Sequence, residues 1–466
     1  MKMQTDRISQ LETIAAISTP PGKGGVAVIR ISGCDEIAVA EKCFRPKSGK
    51  SVSELPCRRA VYGDILSGGV CIDDGILTVF RAPHSYTGED TAEISCHGGR
   101  LIQAKVLEGL FAAGARAAEP GEFTKRAVLS QNLTLSEAEA IGTLIDAETD
   151  DQLKLSAKES RSHLTRRLEE ITGELLRVLS IHFSDFDFPD EDPVDSSAKT
   201  TLKWLRSIKG EIDSLIHTYP TGRAISTGIS ATLLGRPNVG KSSIYNALVG
   251  ENAAIVTPLA GTTRDVLEKK ISIGSVLVKL YDTAGIRESS DPIEQIGVER
   301  SRKHLCDSDA QLIVLDRSEP LSIEDLELLD FASENAKTPI LLLNKCDLPA
   351  AFSKDDLPKS FLHVVECSAE SGAGIDELSK LITELFTDTA LAIGEAAIVT
   401  TARQMASLRE ASESLEQAIF DFARDVPTDA AVSGIERALS SVMKTSGRLV
   451  TEEVVDTIFK NFCVGK

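Results

Sequence analysis

The chain has 466 residues, 42% apolar and 26% charged, with 51 basic against 70 acidic side chains and a net charge of −19. That length exceeds one ordinary core and predicts two or three domains. The acidic balance excludes a bare surface that grips nucleic acid by neutralising many phosphates, so any RNA contact would need a basic partner or a local patch. The nine cysteines are scattered singly without a Cys-x-x-Cys pair, which excludes a disulfide framework or a zinc knuckle. No apolar run reaches the length of a membrane span and the start lacks a signal-peptide layout, so a cytoplasmic protein with reduced thiols is expected.

In chain order, the first ~125 residues mix predicted strands at Gly25–Ile31, Asp74–Arg81 and Thr91–Cys96 with a predicted helix at Leu101–Ala113. From Thr134 the texture turns helical: Leu135, Ala138, Ile141, Leu144 and Ile145 recur at helical spacing, and only the acidic stretch Phe186–Pro193 interrupts it before about Thr218. Thr218-Tyr-Pro-Thr-Gly222 reads as a linker. Apolar strands are then predicted at Ile229–Leu234, Val276–Tyr281, Gln311–Asp316, Ile340–Asn344 and His363–Cys367, alternating with helices as in a mostly parallel sheet covered on both faces. Helical texture returns from about Ala390 to Phe462. The order predicts an α/β block inserted into a helical domain whose two halves pack together, because neither half has another partner for its apolar face.

The chemistry lies mainly in the α/β block. Gly235-Arg-Pro-Asn-Val-Gly240-Lys241-Ser242 follows an apolar strand and precedes a helical run, the context of a loop whose backbone N–H groups cradle phosphates at a helix N-terminus. Within it, Asn238, Val239, Gly240, Lys241, Ser242 and Ser243 are nucleotide-binding candidates. Lys241 is placed on the β- and γ-phosphates, and Ser242 on Mg²⁺. Asp282-Thr283-Ala284-Gly285 ends a second strand, with Asp282 behind the Mg²⁺ and the Gly285 N–H near the γ-phosphate. Asn344-Lys345-Cys-Asp347 ends a third strand, where a carboxylate can accept from guanine's N1–H and 2-amino group, a donor pair adenine lacks. Ser368-Ala369 fits the loop supporting the base from its far side. One such tetrapeptide is weak, but four in order at strand ends predict a GTP site.

Directly after Gly285 stands Ile286, where Ras-like enzymes carry a water-orienting glutamine. Either hydrolysis is incidental or another group holds the attacking water, and Glu294 is the nearest downstream carboxylate suited to that. Asn238 offers an amide oxygen beside the phosphates. The run Thr257, Pro258, Leu259, Ala260, Gly261, Thr262, Thr263 supplies carbonyls and hydroxyls that could complete the shell of a monovalent cation. A plain loop-stabilising Asn238 and a solvated Glu294 are the alternatives.

Taken together, these segments resemble the MnmE (TrmE) family of tRNA-modifying GTPases. The likeness extends to Thr19-Pro-Pro-Gly-Lys-Gly-Gly25, Ser85-Tyr-Thr-Gly-Glu-Asp90, Cys96-His97-Gly-Gly99, Glu119-Pro-Gly-Glu-Phe-Thr-Lys-Arg126 and the terminal Cys463-Val-Gly-Lys466. The resemblance implies a multi-domain α/β and α protein: an N-terminal folate-binding α+β domain (1–125), a helical domain in two parts (126–220 and 389–466), and an inserted Ras-like P-loop GTPase domain (221–388). It implies a homodimer that binds 5-formyltetrahydrofolate or a related one-carbon folate. With an MnmG-type FAD- and NADH-using partner in a heterotetramer, such proteins add an aminomethyl or carboxymethylaminomethyl group to carbon 5 of the wobble uridine of tRNA.

Carried onto matching positions, K⁺ falls to Asn238, Thr257, Leu259 and Thr262, Mg²⁺ to Ser242 and Thr263, and the water to Glu294. Arg30, Glu93 and Lys466 fall to the folate, and Cys463 becomes a functional thiol. Where the family commonly has a folate-contacting lysine, this chain has Asn132, which implies either weaker folate binding or compensation by Lys125 or Arg126. Two other classes share the GTPase signatures: a ribosome-assembly switch, which usually adds a basic RNA-binding module, and a folate aminomethyltransferase with a purely regulatory GTPase domain.

Overall fold

The computed structural model describes residues 12–159, 163–187, 197–251, 268–282, 306–388, 396–424, 426–447 and 465. By contacts the chain forms two units, Met1–Gly142 with Ser446–Lys466, and Thr143–Thr445.

The first unit is built on strands β1 (Ile14–Ile17), β2 (Val26–Ser32), β3 (Phe44–Pro46), β4 (Val61–Ser67), β5 (Val70–Phe80), β6 (Thr91–His97) and β7 (Arg116–Ala117), in the order β3-β4-β5-β6-β2-β1-β7. Neighbours are antiparallel except β1 and β7. Strand periodicity sorts the residues: Ala27, Ile29 and Ile31 of β2 face the core, while Val28 and Arg30 lie on the other side. Helices α1 (Glu36–Cys43) and α2 (Arg100–Ala113) cover the core face with Val39, Val106 and Leu110. Helix α3 (Glu122–Leu129) places Phe123 against Ile14 and Ala16 of β1. Each fully buried Ile or Leu here contributes about 1.5–3 kcal/mol relative to exposure.

One buried group in this unit opposes folding. The Glu36 side chain is fully buried and neither carboxylate oxygen has a hydrogen-bond partner. Burial pushes its carboxyl from 4.5 up to about 7, nearby Arg81 pulls it down, and Asp90 pushes it up again. Because the folded-state value is raised, the stabilising effect of the bound proton is full below 4.5 and is lost as pH climbs through 7. Urea unfolding of wild type and Glu36→Gln at pH 5 and pH 8 should differ in pH dependence by about 2–3 kcal/mol, the wild type losing more. Parallel pH profiles would show that Glu36 does not titrate in this range.

Helix α4 (Leu135–Ile145) leads into the second unit, where α5 (Asp150–Glu159), α6 (His163–Asp187) and α7 (Ala198–Ser226) follow. The α/β block then comprises β8 (Ile229–Leu234), α8 (Lys241–Glu251), β9 (Glu268–Ile273), β10 (Val276–Asp282), β11 (Ala310–Asp316), α9 (Ile323–Asn335), β12 (Pro339–Asn344), β13 (His363–Glu366) and α10 (Ile375–Phe386). Its sheet has the order β13-β12-β11-β8-β10-β9 and is parallel except for the β9/β10 hairpin. Both faces are buried: Ala231, Leu233, Leu312, Val314 and Leu342 in one layer, Leu234, Ile313, Leu315, Leu341 and Leu343 in the other. This is why these strands read as continuous apolar runs. Helices α11 (Ala402–Ala423) and α12 (Thr428–Ser446) are the last among the described residues. Leu168, Ile171, Ile208, Ile212, Leu415 and Ile435 share one core, so the helical halves before and after the block pack on each other.

The linker expected at Thr218–Gly222 is instead the interior of α7, with Pro220 inside the helix. Proline there removes one helical hydrogen bond, but the buried stripe of Leu205, Ile208, Ile212 and Leu215 continues through Thr218, Thr221 and Gly222. Tertiary contacts hold that end: Val399 N donates to Thr218 Oγ1 at 2.9 Å, and Asp388 N to Thr221 Oγ1 at 3.0 Å. A Cβ on Gly222 would come within 2.2 Å of the Val399 carbonyl oxygen, so the glycine permits close packing and does not break the helix. The acidic stretch Phe186–Pro193 lies mostly outside the described residues.

Candidate functional site

Strand β8 delivers the chain into a loop, Gly235 to Gly240, that turns straight into α8. Two glycines make this turn possible. A Cβ on Gly235 would lie 2.4 Å from the Val314 carbonyl oxygen, and one on Gly240, at φ 97°, would lie 2.2 Å from Asn344 Nδ2. Val239 is buried in the block's core and anchors the loop, while Asn238 is exposed in the left-handed conformation at φ 64°. The first helical bond, Ile244 N to Gly240 O at 2.9 Å, leaves Ser242 and Ser243 exposed on the first turn. Lys241 folds back over the loop and donates to the carbonyls of Gly235 (2.7 Å) and Arg236 (2.8 Å). Helix N-terminus, cation and exposed hydroxyls thus converge where an anion would sit. Asn238 and Ser242 offer neutral oxygens of the kind that ligate hard cations.

Asn344 joins this loop to two others. Its Nδ2 donates to Val239 O at 2.8 Å, and its Oδ1 accepts from Ala369 N at 3.2 Å. Lys345, at φ 62°, pairs with Asp316 at 2.5 Å. Burial pushes the Asp316 carboxyl up, but bonds from Lys345 and Ser318 outweigh that and hold it below the usual carboxylate range. Asp347 is exposed at the loop's mouth. Ser368 stabilises the far loop: its N donates to Ala373 O at 2.9 Å and its hydroxyl accepts from Ser371 N at 3.2 Å. Asp316 went unassigned in the sequence, because its role comes from Lys345, 29 residues further on.

Other positions are reached only in part. Asp282 ends β10, which is parallel to β8 with Asp282 opposite Leu233, just before the phosphate loop. The expected ligands Thr257, Pro258, Leu259, Ala260, Gly261, Thr262 and Thr263, the run Thr283, Ala284, Gly285 and Ile286, and Glu294 lie outside the described residues.

In the first unit, β2 and β6 bring Arg30 opposite Glu93, and the side chains pair at 2.9 Å. The guanidinium lies 5.0 Å from the centre of the Tyr86 ring and 5.6 Å from that of Phe123. These rings went unassigned; only their place inside the Ser85–Asp90 and Glu119–Arg126 segments pointed to them. Asn132 donates to the Ser85 carbonyl at 3.0 Å, so its amide secures the loop that carries Tyr86. Arg126, a candidate for the missing lysine's role, is 2% exposed and paired with Glu89 (2.9 Å) and Glu122 (2.8 Å). His97 ends β6, its Nδ1 2.7 Å from Asp73 Oδ1. Gly465 lies against β1, its carbonyl accepting from Ser18 Oγ at 2.9 Å. A Cβ there would come within 2.1 Å of the Ile17 carbonyl oxygen. Cys463 and Lys466 lie outside the described residues. The eight described cysteines carry free thiols, and no helix among the described residues is long and apolar enough to cross a membrane.

Comparison with known proteins adds a consistent pattern. Residues 13–132 match the family model described as the GTP-binding protein TrmE N-terminus, and residues 135–463 match the MnmE helical domain. The tRNA modification GTPase MnmE of Geobacillus thermodenitrificans is 38% identical over 464 residues, spanning 98% of this chain and 100% of the relative. That of Enterococcus faecalis is 38% identical over 462 residues, spanning 98% and 99%. The G domain of the T. maritima FeoB iron transporter aligns with 34% of this chain and 97% of its own at 28% identity and a TM-score of 0.26.

Proposed function

The chain belongs to the MnmE family of tRNA modification GTPases, and we propose that it hydrolyses GTP with K⁺ and Mg²⁺ to drive modification of carbon 5 of the wobble uridine of tRNA. The observation that carries this reading is Asn344, whose two amide bonds tie the phosphate loop, the Asn-Lys-Cys-Asp loop and the Ser-Ala loop into one frame. In it Asp347 accepts the guanine donors, and Lys241 and the α8 N-terminus face the phosphates. Ser242 and Thr263 hold Mg²⁺. Asn238, Thr257, Leu259 and Thr262 hold K⁺, whose charge stands in for an arginine as negative charge develops. Glu294 orients the water that Ile286 cannot.

The proposed domain layout is an N-terminal folate-binding domain (1–125), helical segments 126–220 and 389–466, and a GTPase domain (221–388). Arg30, flanked by Tyr86 and Phe123, supports an anionic, ring-bearing ligand such as 5-formyltetrahydrofolate. Glu93, Asn132 and Lys466 complete that site, and Cys463 acts as a thiol. The protein works in the cytoplasm as a homodimer with an FAD-dependent partner, which supplies the tRNA contacts that a chain of charge −19 lacks.

GTP hydrolysis by the purified protein in KCl and in NaCl at equal ionic strength tests the reading. The rate should be about tenfold or more higher in KCl. Equal rates would remove K⁺ from the mechanism, and no hydrolysis in either salt would count against the GTPase assignment.

A further inference from the structure

Arg236 is the second residue of the phosphate loop, yet its side chain turns to Glu319 and Asp325. Its Nη2 donates to Glu319 Oε2 at 2.6 Å and its Nε lies 3.2 Å from Asp325 Oδ2. Asp325 is a demanding partner: its side chain is 3% exposed, and the same Oδ2 already accepts from Ser322 N and Oγ at the start of α9. Without Arg236, that buried carboxylate would lose its nearby cation. Glu319 is 57% exposed, and a pair of that kind contributes little by itself. Arg236 Nε makes no hydrogen bond, so Asp325 holds the guanidinium by charge alone while Glu319 supplies the hydrogen bond, and the two contacts together form the tether.

The other end of Arg236 matters to chemistry. Its main-chain carbonyl, with that of Gly235, receives the Lys241 ammonium. The segment that receives its side chain also carries Asp316, the partner of Lys345 in the base loop. Residues 316–325 thus back the phosphate loop and the base loop at once. We propose that Arg236 is a positioning residue: clamped to Asp325 and Glu319, it fixes the carbonyls that aim Lys241 at the nucleotide phosphates. The proposal rests on the GTPase reading.

The test is the dissociation rate of N-methylanthraniloyl-GDP from the full-length protein, by stopped flow. Arg236→Ala should release it about tenfold faster than wild type, with Arg236→Lys intermediate, because a misplaced cation weakens the phosphate hold. Glu319→Ala should be faster by about two- to threefold, and the double variant Arg236→Ala/Glu319→Ala no faster than Arg236→Ala alone. Wild-type rates in Arg236→Ala, or fully additive effects in the double variant, would overturn the clamp. If Arg236→Ala melts early without nucleotide, Arg236→Lys and Glu319→Ala decide, and wild-type rates in both would overturn it. A wild-type protein that fails to retain the fluorescent GDP would instead sink the GTPase reading.

Discussion

Asp347→Asn should cost the protein about 100-fold or more in GTP affinity and admit xanthosine triphosphate in its place. The carboxylate accepts from N1–H and the 2-amino group of guanine. An amide presents one acceptor and one donor, so its N–H₂ meets the 2-amino group donor to donor, and an unpaired buried polar group is rejected strongly. Xanthine carries a carbonyl at position 2, which accepts from that amide. Because Asp347 is exposed and makes no hydrogen bond that holds the described fold together, the substitution should leave thermal stability close to wild type. Competition against a fluorescent guanine nucleotide checks both halves. Unchanged GTP affinity would mean that the base is read by another group.

Gly240→Ala should be as damaging for a different reason. The backbone there has φ 97°, and the added Cβ would lie 2.2 Å from Asn344 Nδ2, a contact no real side chain makes. Either the phosphate loop shifts or Asn344 gives up its bond to Val239 O. In both cases phosphate and base recognition fail together, and hydrolysis should fall about 100-fold. Of the residues at this junction only Val239 belongs to the block's core, whose other members come from the strands and helices, so circular dichroism should remain that of a folded protein. Activity within a few-fold of wild type would show that the junction yields without cost.

The sequence made the α/β block legible because its strands are buried on both faces. Ile229–Leu234 was expected with the bounds it has, and Ile340–Asn344 differs only by Pro339. The first unit was harder to read. Ile14–Ile17 is four residues of small and branched side chains, β7 is two residues long, and β4 breaks its alternation at the Ile65/Leu66 irregularity. None offers a period long enough to recognise. Pro220 misled in the opposite direction: a local breaker was overridden by packing on both sides of α7. The nucleotide loops were visible because each motif closes a strand. Asp316, Tyr86 and Phe123 were not, since their roles depend on neighbours distant in sequence, Lys345 for the first and Arg30 for the other two.

The hydrogen bond from Asp388 N to Thr221 Oγ1 spans 167 residues of chain. Folded, the intervening block presents its two ends side by side, leaving residues 389–401 between Asp388 and α11. Joining the helices through an unfolded segment of 167 residues would cost about 2 kcal/mol more in closure entropy than joining them through that shorter stretch. The helical halves therefore gain most when the block folds first. A lesion that unfolds the block should loosen the helical core of Leu168, Ile208 and Leu415 as well, though none of these residues touches nucleotide.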